Sequence, residues 1–77
     1  MDKEYKLKYP VGDVKSVKMR RPKVKDLIDL QQLDIDEAER ELLLFEKLTG
    51  VPKDILKEMD MYDYARIQEM YAGFLKG

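Results

Sequence analysis

The chain has 77 residues and a formal net charge of −1, and it contains neither cysteine nor histidine. A length of this order predicts a single domain over residues 1–77, and the lack of cysteine excludes disulfide bonds and thiolate chemistry. With no histidine, one serine (Ser16) and one threonine (Thr49), nearly every arrangement for nucleophilic or general-base catalysis lacks a member. We therefore predict a protein that is not an enzyme and that has no cofactor and no metal site.

The N-terminal part carries the pattern of a β-hairpin. Apolar or aromatic residues alternate with lysine from Tyr5 to Tyr9, which is the period of a half-buried strand, and a Pro-Val-Gly-Asp sequence typical of a tight turn follows. Val14 and Val17 are three residues apart, so the second strand pattern is imperfect: they share a face only with a bulge or a shift in where that strand begins. We predict a hairpin over residues 4–20 that lies on the helices, because a lone hairpin is marginally stable in water.

Start and stop signals divide the rest of the chain into helices. Pro22 suits a first helical turn, Asp36 and Asp60 are N-cap residues, and Gly50 can end a helix in the left-handed conformation. The predicted helices span residues 22–33, 36–49, 52–59 and 60–76. The predicted fold class is α+β, mainly α, with an N-terminal β-hairpin followed by three to four short helices packed as a small bundle.

Two of the predicted helices have unusually broad apolar stripes. Leu43 and Leu44 widen the stripe of the second helix, and Ile67, Met70 and Phe74 widen that of the last. Such stripes usually close a core, but methionine and aromatic residues are also enriched at protein-binding surfaces. Both interpretations are open from the sequence, and these five residues are the candidate partner-binding residues.

Charge is unevenly distributed along the chain. Residues 1–25 carry nine Lys or Arg against three Asp or Glu, and residues 26–77 carry six against thirteen. This asymmetry is compatible with a solvated basic face, with an acidic protein partner, or with head-to-tail self-association. The candidate basic patch comprises Lys18, Arg20, Arg21, Lys23 and Lys25, a run that could also face phosphates, although the acidic remainder argues against a nucleic-acid partner.

Membrane association is not indicated. No run of 18 apolar residues is present, and the N-terminal residues lack the apolar stretch of a signal peptide. We expect a cytoplasmic protein without a membrane partner.

Several short motifs are spread over nearly the whole chain: Leu7 to Pro10, Arg20 to Leu27, Leu48 to Pro52, Asp60 to Tyr64, and Gly73 to Leu75. In their order and spacing these motifs resemble a known family, the tail assembly chaperones of Mu-like and related contractile-tailed phages and prophages. The resemblance implies a non-enzymatic assembly factor that coats the tape-measure protein, keeps it soluble until tube subunits polymerise, and is absent from the mature virion. In this family a frameshifted extension often adds a domain that contacts the tail tube protein.

Two functional hypotheses follow from the sequence. The first is a tail assembly chaperone that acts through an apolar helical surface and self-association. The alternative is a small nucleic-acid-binding regulator that uses the basic hairpin and the Arg20 to Lys23 junction. Salt dependence separates them, since phosphate binding weakens steeply as salt rises.

Overall fold

A computed structural model describes residues 2–77 and contains a two-stranded sheet followed by four helices. The elements are β1 (Lys3–Val11), β2 (Val14–Met19), α1 (Val24–Gln31), α2 (Glu37–Thr49), α3 (Lys53–Lys57) and α4 (Met61–Leu75). The predicted fold class, a β-hairpin followed by a small helical bundle, is confirmed. Every observed element boundary lies within two residues of the predicted one.

The pairing of the hairpin is irregular, but in the first strand and not in the second, where the valine spacing indicated it. Tyr5 pairs with Val17 and Lys6 with Ser16, and pairing resumes at Val11 and Val14. β1 therefore advances five residues while β2 advances two, so the bulge lies in β1. A bulge releases backbone N–H groups from the strand ladder, and here helix α4 takes them up.

Asp63 in the first turn of α4 joins that helix to the bulge. Its buried carboxylate accepts hydrogen bonds from the backbone N–H groups of Lys8 and Tyr9, both 2.9 Å long, and from the Tyr5 hydroxyl at 2.6 Å. Burial raises the pKa of Asp63, but these hydrogen bonds outweigh it and the net pKa is lowered. Asp63 therefore fixes α4 across the sheet.

A second polar junction sets the orientation of α1. The Arg20 guanidinium donates two hydrogen bonds to the Asp26 carboxylate, of 2.8 and 2.9 Å, and the Lys23 N–H donates a third of 2.8 Å. The backbone N–H of Arg20 also bonds the carbonyl of Leu48 at the end of α2. The Asp26 side chain is only 2% exposed, so the face of α1 that carries Asp26 must lie inward.

The predicted helix caps are present. Asp36 accepts from the N–H of Glu39 at 2.8 Å, and Asp60 accepts from the N–H of Tyr62 at 2.9 Å. Gly50 ends α2 with φ of 77°, a left-handed conformation that glycine adopts without steric cost. These local signals are independent of tertiary structure, which is why the sequence locates them.

The core lies between the hairpin and helices α2, α3 and α4. Phe45 of α2 is its central aromatic residue, with ring centroids 5.7 Å from those of Tyr64 and Tyr71 on α4. The buried hydrophobic residues of this cluster are Leu7, Val17, Met19, Phe45, Leu48, Leu56, Met59, Ile67 and Phe74.

Candidate protein-binding surface

Helix α1 exposes an apolar stripe. Val24, Leu27 and Ile28 are 73%, 49% and 48% exposed, although they recur at the spacing of one helical face. The buried residues of this helix are Asp26 and Leu30. At 3.6 residues per turn these two define a face about 130° away from the apolar stripe, so the pairing of Asp26 with Arg20 turns the stripe towards solvent.

The stripe borders an open groove of about 540 Å³ between α1, α2 and α4. We call it the α1–α2–α4 groove. Leu27 and Leu30 form one wall, Leu44 and Phe45 the floor, and Tyr71 the opposite wall. Glu37, Arg40 and Glu41 lie at one end, where α2 begins. An apolar groove beside an exposed apolar helix face is a common binding site for an amphipathic helix.

Polar contacts at the two ends of α1 link it to α2 and α4. At one end, Arg40 of α2 donates to the carbonyl groups of Leu33 and Ile35, which follow α1. At the other end, Arg21 donates to the carbonyl of Phe74, near the end of α4. Helix α1 therefore runs opposite to α2, and its start lies beside the end of α4.

A smaller groove of about 250 Å³ lies between α2, α3 and α4. Leu42, Met59 and Met61 line it together with Tyr64. Glu41 separates the two grooves and accepts hydrogen bonds from the Tyr64 hydroxyl at 2.8 Å and from Gln68 Nε2 at 3.0 Å. Burial and the hydrogen bond to Glu41 raise the pKa of Tyr64. The Tyr64 hydroxyl therefore stays protonated and keeps α2 and α4 in register.

The candidate partner-binding residues do not form one surface. Ile67 and Phe74 are 0% and 3% exposed and belong to the core, so the expectation that they are open on the surface is wrong. The physical reason is that α4 packs against β1, with the Phe74 ring further covered by the side chains of Lys3 and Arg21.

The remaining candidates are half-buried. Leu44 lines the α1–α2–α4 groove, whereas Leu43 and Met70 line neither groove. Met70 packs against the core cluster. Partner binding through Leu43, Leu44 and Met70 stays a prediction.

The basic run divides into two groups. Arg20 is paired with Asp26, and Arg21 stacks on Phe74 with its guanidinium carbon 5.3 Å from the ring centroid, so both arginines have structural roles inside the domain. The lysines of the run, Lys18, Lys23 and Lys25, are exposed and have no ion-pair partner among residues 2–77. The five basic residues therefore do not form one patch that is free to bind phosphates.

The residues that the sequence did not indicate as functional are Val24, Leu27 and Ile28. One signal could have found them. Asp26 lies six residues after Arg20, so the two can form an ion pair. If that pair turns Asp26 inward, the apolar stripe of this short helix faces outward.

Within residues 2–77 no helix is long and apolar enough to cross a membrane. The same residues contain no cluster of three His, Cys, Asp or Glu side chains arranged to hold a metal ion.

The fold is that of a small α+β domain in which a β-hairpin supports a helical surface with an open groove. A family model described as "Phage tail assembly chaperone proteins, E, or 41 or 14" matches residues 5–76. The chain belongs to this family of phage tail assembly chaperones, as its motifs indicated. Comparisons with curated protein sequences and with solved structures gave no match.

Proposed function

We propose that this tail assembly chaperone binds the tape-measure protein in the host cytoplasm and keeps it soluble during tail morphogenesis, without enzymatic activity. Family membership makes phage tail proteins its partners. Among them a tape-measure protein offers long amphipathic helices, and these need an apolar surface to cover them until the tube forms.

One observation supports the α1–α2–α4 groove as the binding site. The exposed stripe of Val24, Leu27 and Ile28 continues into a groove floored by Leu44 and Phe45. Half-exposed aliphatic side chains next to an open apolar groove give a partner helix both anchoring pockets and a flat contact. Binding by several copies along one tape-measure protein would cover its whole length, and the uneven charge of the chain is compatible with contacts between neighbouring copies.

Co-expression with the tape-measure protein of the same phage tests this function. We expect the wild-type chaperone to keep that protein soluble and to co-elute with it in moderate salt, with several copies bound to each tape-measure chain. The Leu27→Asp/Ile28→Asp variant should fold normally, because both side chains are exposed, and should leave the tape-measure protein insoluble.

A control variant places aspartate at two exposed positions of the hairpin. Lys15→Asp/Lys18→Asp also alters two exposed positions, and it should preserve solubility and co-elution. If instead the hairpin variant loses binding and the α1 variant keeps it, the groove is not the binding site.

The alternative function, nucleic-acid binding, has less support. Arg20 and Arg21 are held by Asp26 and Phe74, which leaves only the exposed lysines to contact phosphates. Binding to a DNA or RNA fragment that falls steeply with salt and disappears in the Lys15→Asp/Lys18→Asp variant would favour this alternative.

A further inference from the structure

Glu41 of α2 lies on the ridge between the two grooves and lines both of them. Its Oε1 atom accepts hydrogen bonds from the Tyr64 hydroxyl at 2.8 Å and from Gln68 Nε2 at 3.0 Å. Its Oε2 atom accepts no hydrogen bond from residues 2–77. Both donors are neutral groups, so they orient the carboxylate without offsetting its negative charge.

No cationic side chain of the described residues pairs with Glu41. The ion pairs within residues 2–77 involve other acids. The neighbouring Arg40 is turned towards α1, where its guanidinium donates to the carbonyl groups of Leu30, Leu33 and Ile35. Carbonyl groups at a helix C-terminus carry partial negative charge, so Arg40 offsets the end of α1. The half-buried carboxylate of Glu41 keeps its charge unpaired.

Glu37 adds a second carboxylate to the same wall of the α1–α2–α4 groove. It lies four residues before Glu41, so the two side chains share one face of α2 and are separated by about 6 Å along the helix axis. Glu37 is exposed and lines the groove, and it forms no ion pair in the part of the chain that the structure describes. Two acids without a cation therefore border the apolar floor of Leu44 and Phe45.

The apolar surroundings of Glu41 favour a cation from outside the domain. Leu44 and Phe45 lie in the groove on one side of it, and Leu42 and Met59 in the groove on the other. A carboxylate between apolar surfaces is less well solvated than one on an open surface, so an opposite charge placed beside it is attracted more strongly. The long stem of a lysine or arginine can pack on such a surface while its charged end reaches the carboxylate.

From this arrangement we propose that Glu41, assisted by Glu37, makes the α1–α2–α4 groove selective for amphipathic helices with lysine or arginine beside their apolar stripe. The apolar stripe of the partner lies on Leu44 and Phe45, and its cationic side chain bonds Glu41 Oε2. Helices with acidic residues at that position are rejected by like charge. This inference rests on the proposed function, and it names the class of tape-measure segment that the chaperone takes up.

Three designed peptides provide the test. Each is an amphipathic helix of about 18 residues with the same leucine stripe and the same side-chain staple. The peptides differ only at two positions beside the stripe, four residues apart, which are both lysine, both glutamine or both glutamate. Affinity for the full chain is measured by fluorescence anisotropy, after circular dichroism has shown equal helicity of the three peptides.

We expect the lysine peptide to bind about tenfold more tightly than the glutamine peptide in low salt, and the glutamate peptide to bind most weakly. The preference should shrink as salt screens the charges. Equal affinities for the lysine and glutamine peptides, or tighter binding of the glutamate peptide, would contradict the inference.

Glu41→Gln separates the charge of this residue from its place in the fold. Glutamine keeps an oxygen that accepts from Tyr64 and Gln68, so the variant should fold, which thermal denaturation checks. The preference for lysine should fall to less than about threefold, the remainder coming from the exposed charge of Glu37, and the affinity for the glutamine peptide should not change. An unchanged preference, or an equal loss of affinity for all three peptides, would overturn the inference.

A control variant, Glu4→Gln, makes the same change at an exposed position of β1 and should keep the preference. If it loses the preference as Glu41→Gln does, the net charge of the domain and not the groove selects the peptide, and the inference is wrong. If no peptide binds while co-expression still keeps the tape-measure protein soluble, the inference fails and the proposed function stands. If co-expression fails as well, both fail.

Discussion

Helices α1 and α4 both carry apolar residues at helical spacing, yet they use them in opposite ways. In α4 the side chains of Ile67 and Phe74 are buried against the hairpin, and in α1 the side chains of Val24, Leu27 and Ile28 face solvent. The difference lies in one acidic residue of each helix. Asp63 draws α4 onto the bulge of β1, whereas Asp26 pairs with Arg20 and turns the apolar stripe of α1 outward.

This comparison shows which apolar residues belong to the fold and which are available for binding. A buried, hydrogen-bonded carboxylate fixes the rotation of its helix, because leaving it unpaired would cost free energy. The apolar face is then buried or exposed according to its angle from the carboxylate. Four predictions test the comparison, from the largest expected effect to the smallest.

The largest expected difference is between two isoleucines. Ile67→Ala in α4 should lower the free energy of unfolding by about 3 kcal/mol, since it removes buried methyl groups and leaves a cavity. Ile28→Ala in α1 should change it by less than about 0.5 kcal/mol, as expected for a surface position. Urea denaturation followed by circular dichroism measures both, and equal costs would contradict the assignment of the two faces.

The next effect concerns the carboxylate that holds α4. Asp63→Ala should lower the free energy of unfolding by about 2 to 3 kcal/mol, because a charged acceptor of three hydrogen bonds is lost. Tyr5→Phe removes only one of these bonds and should cost about 1 kcal/mol. If Tyr5→Phe lowers the stability as much as Asp63→Ala does, the Tyr5 hydroxyl anchors α4 and the bulge of β1 does not.

Acid should weaken both junctions. The hydrogen bonds from Arg20, with a further one from the Lys23 N–H, lower the pKa of Asp26 to about 2, and the pKa of Asp63 is also lowered. A carboxyl group whose pKa is lower in the folded state stabilises the protein above its unfolded-state pKa of about 3.9, and this contribution is lost as the pH falls towards 2.

Denaturation at several values of pH between 7 and 2 measures this loss. Asp26→Asn should start from a lower stability at pH 7 and show a shallower decline below pH 4. A decline as steep as that of the wild-type protein would show that Asp26 does not contribute to the acid sensitivity.

The smallest expected effects come from two glycines. Gly50→Ala should destabilise by about 1 kcal/mol, because φ is 77° at that position. Gly73→Ala lies inside α4, where the new methyl group would meet only the mobile end of the Lys3 side chain, at 2.7 Å, and it should stabilise by about 0.5 kcal/mol. Thermal denaturation measures whether each variant is more or less stable than the wild-type protein. Destabilisation by Gly73→Ala would indicate that the end of α4 is packed more tightly than α1.

Local signals in the sequence account for the elements of the fold. Asp36, Gly50 and Asp60 act through residues within four positions of themselves, so their helix boundaries could be predicted. The valine spacing indicated a bulge in the second strand or a different start of that strand, whereas the bulge lies in β1.

The orientation of the helices could not be predicted in the same way. The contacts of Asp63 with Tyr5, Lys8 and Tyr9 join residues more than 50 positions apart, and helical spacing alone does not say which face of an apolar stripe meets the core. For that reason the surface position expected for Ile67 and Phe74 was wrong and the exposed face of α1 was missed.

Nuclear magnetic resonance of the isotope-labelled chaperone, titrated with a helical segment of its tape-measure protein, tests the central claim most directly. We expect the largest chemical-shift changes at Leu27, Ile28, Leu44 and Tyr71, around the α1–α2–α4 groove, and only small changes in the resonances of the buried side chains of Ile67 and Phe74. Changes confined to the hairpin lysines, or a loss of the α4 core resonances on binding, would contradict it.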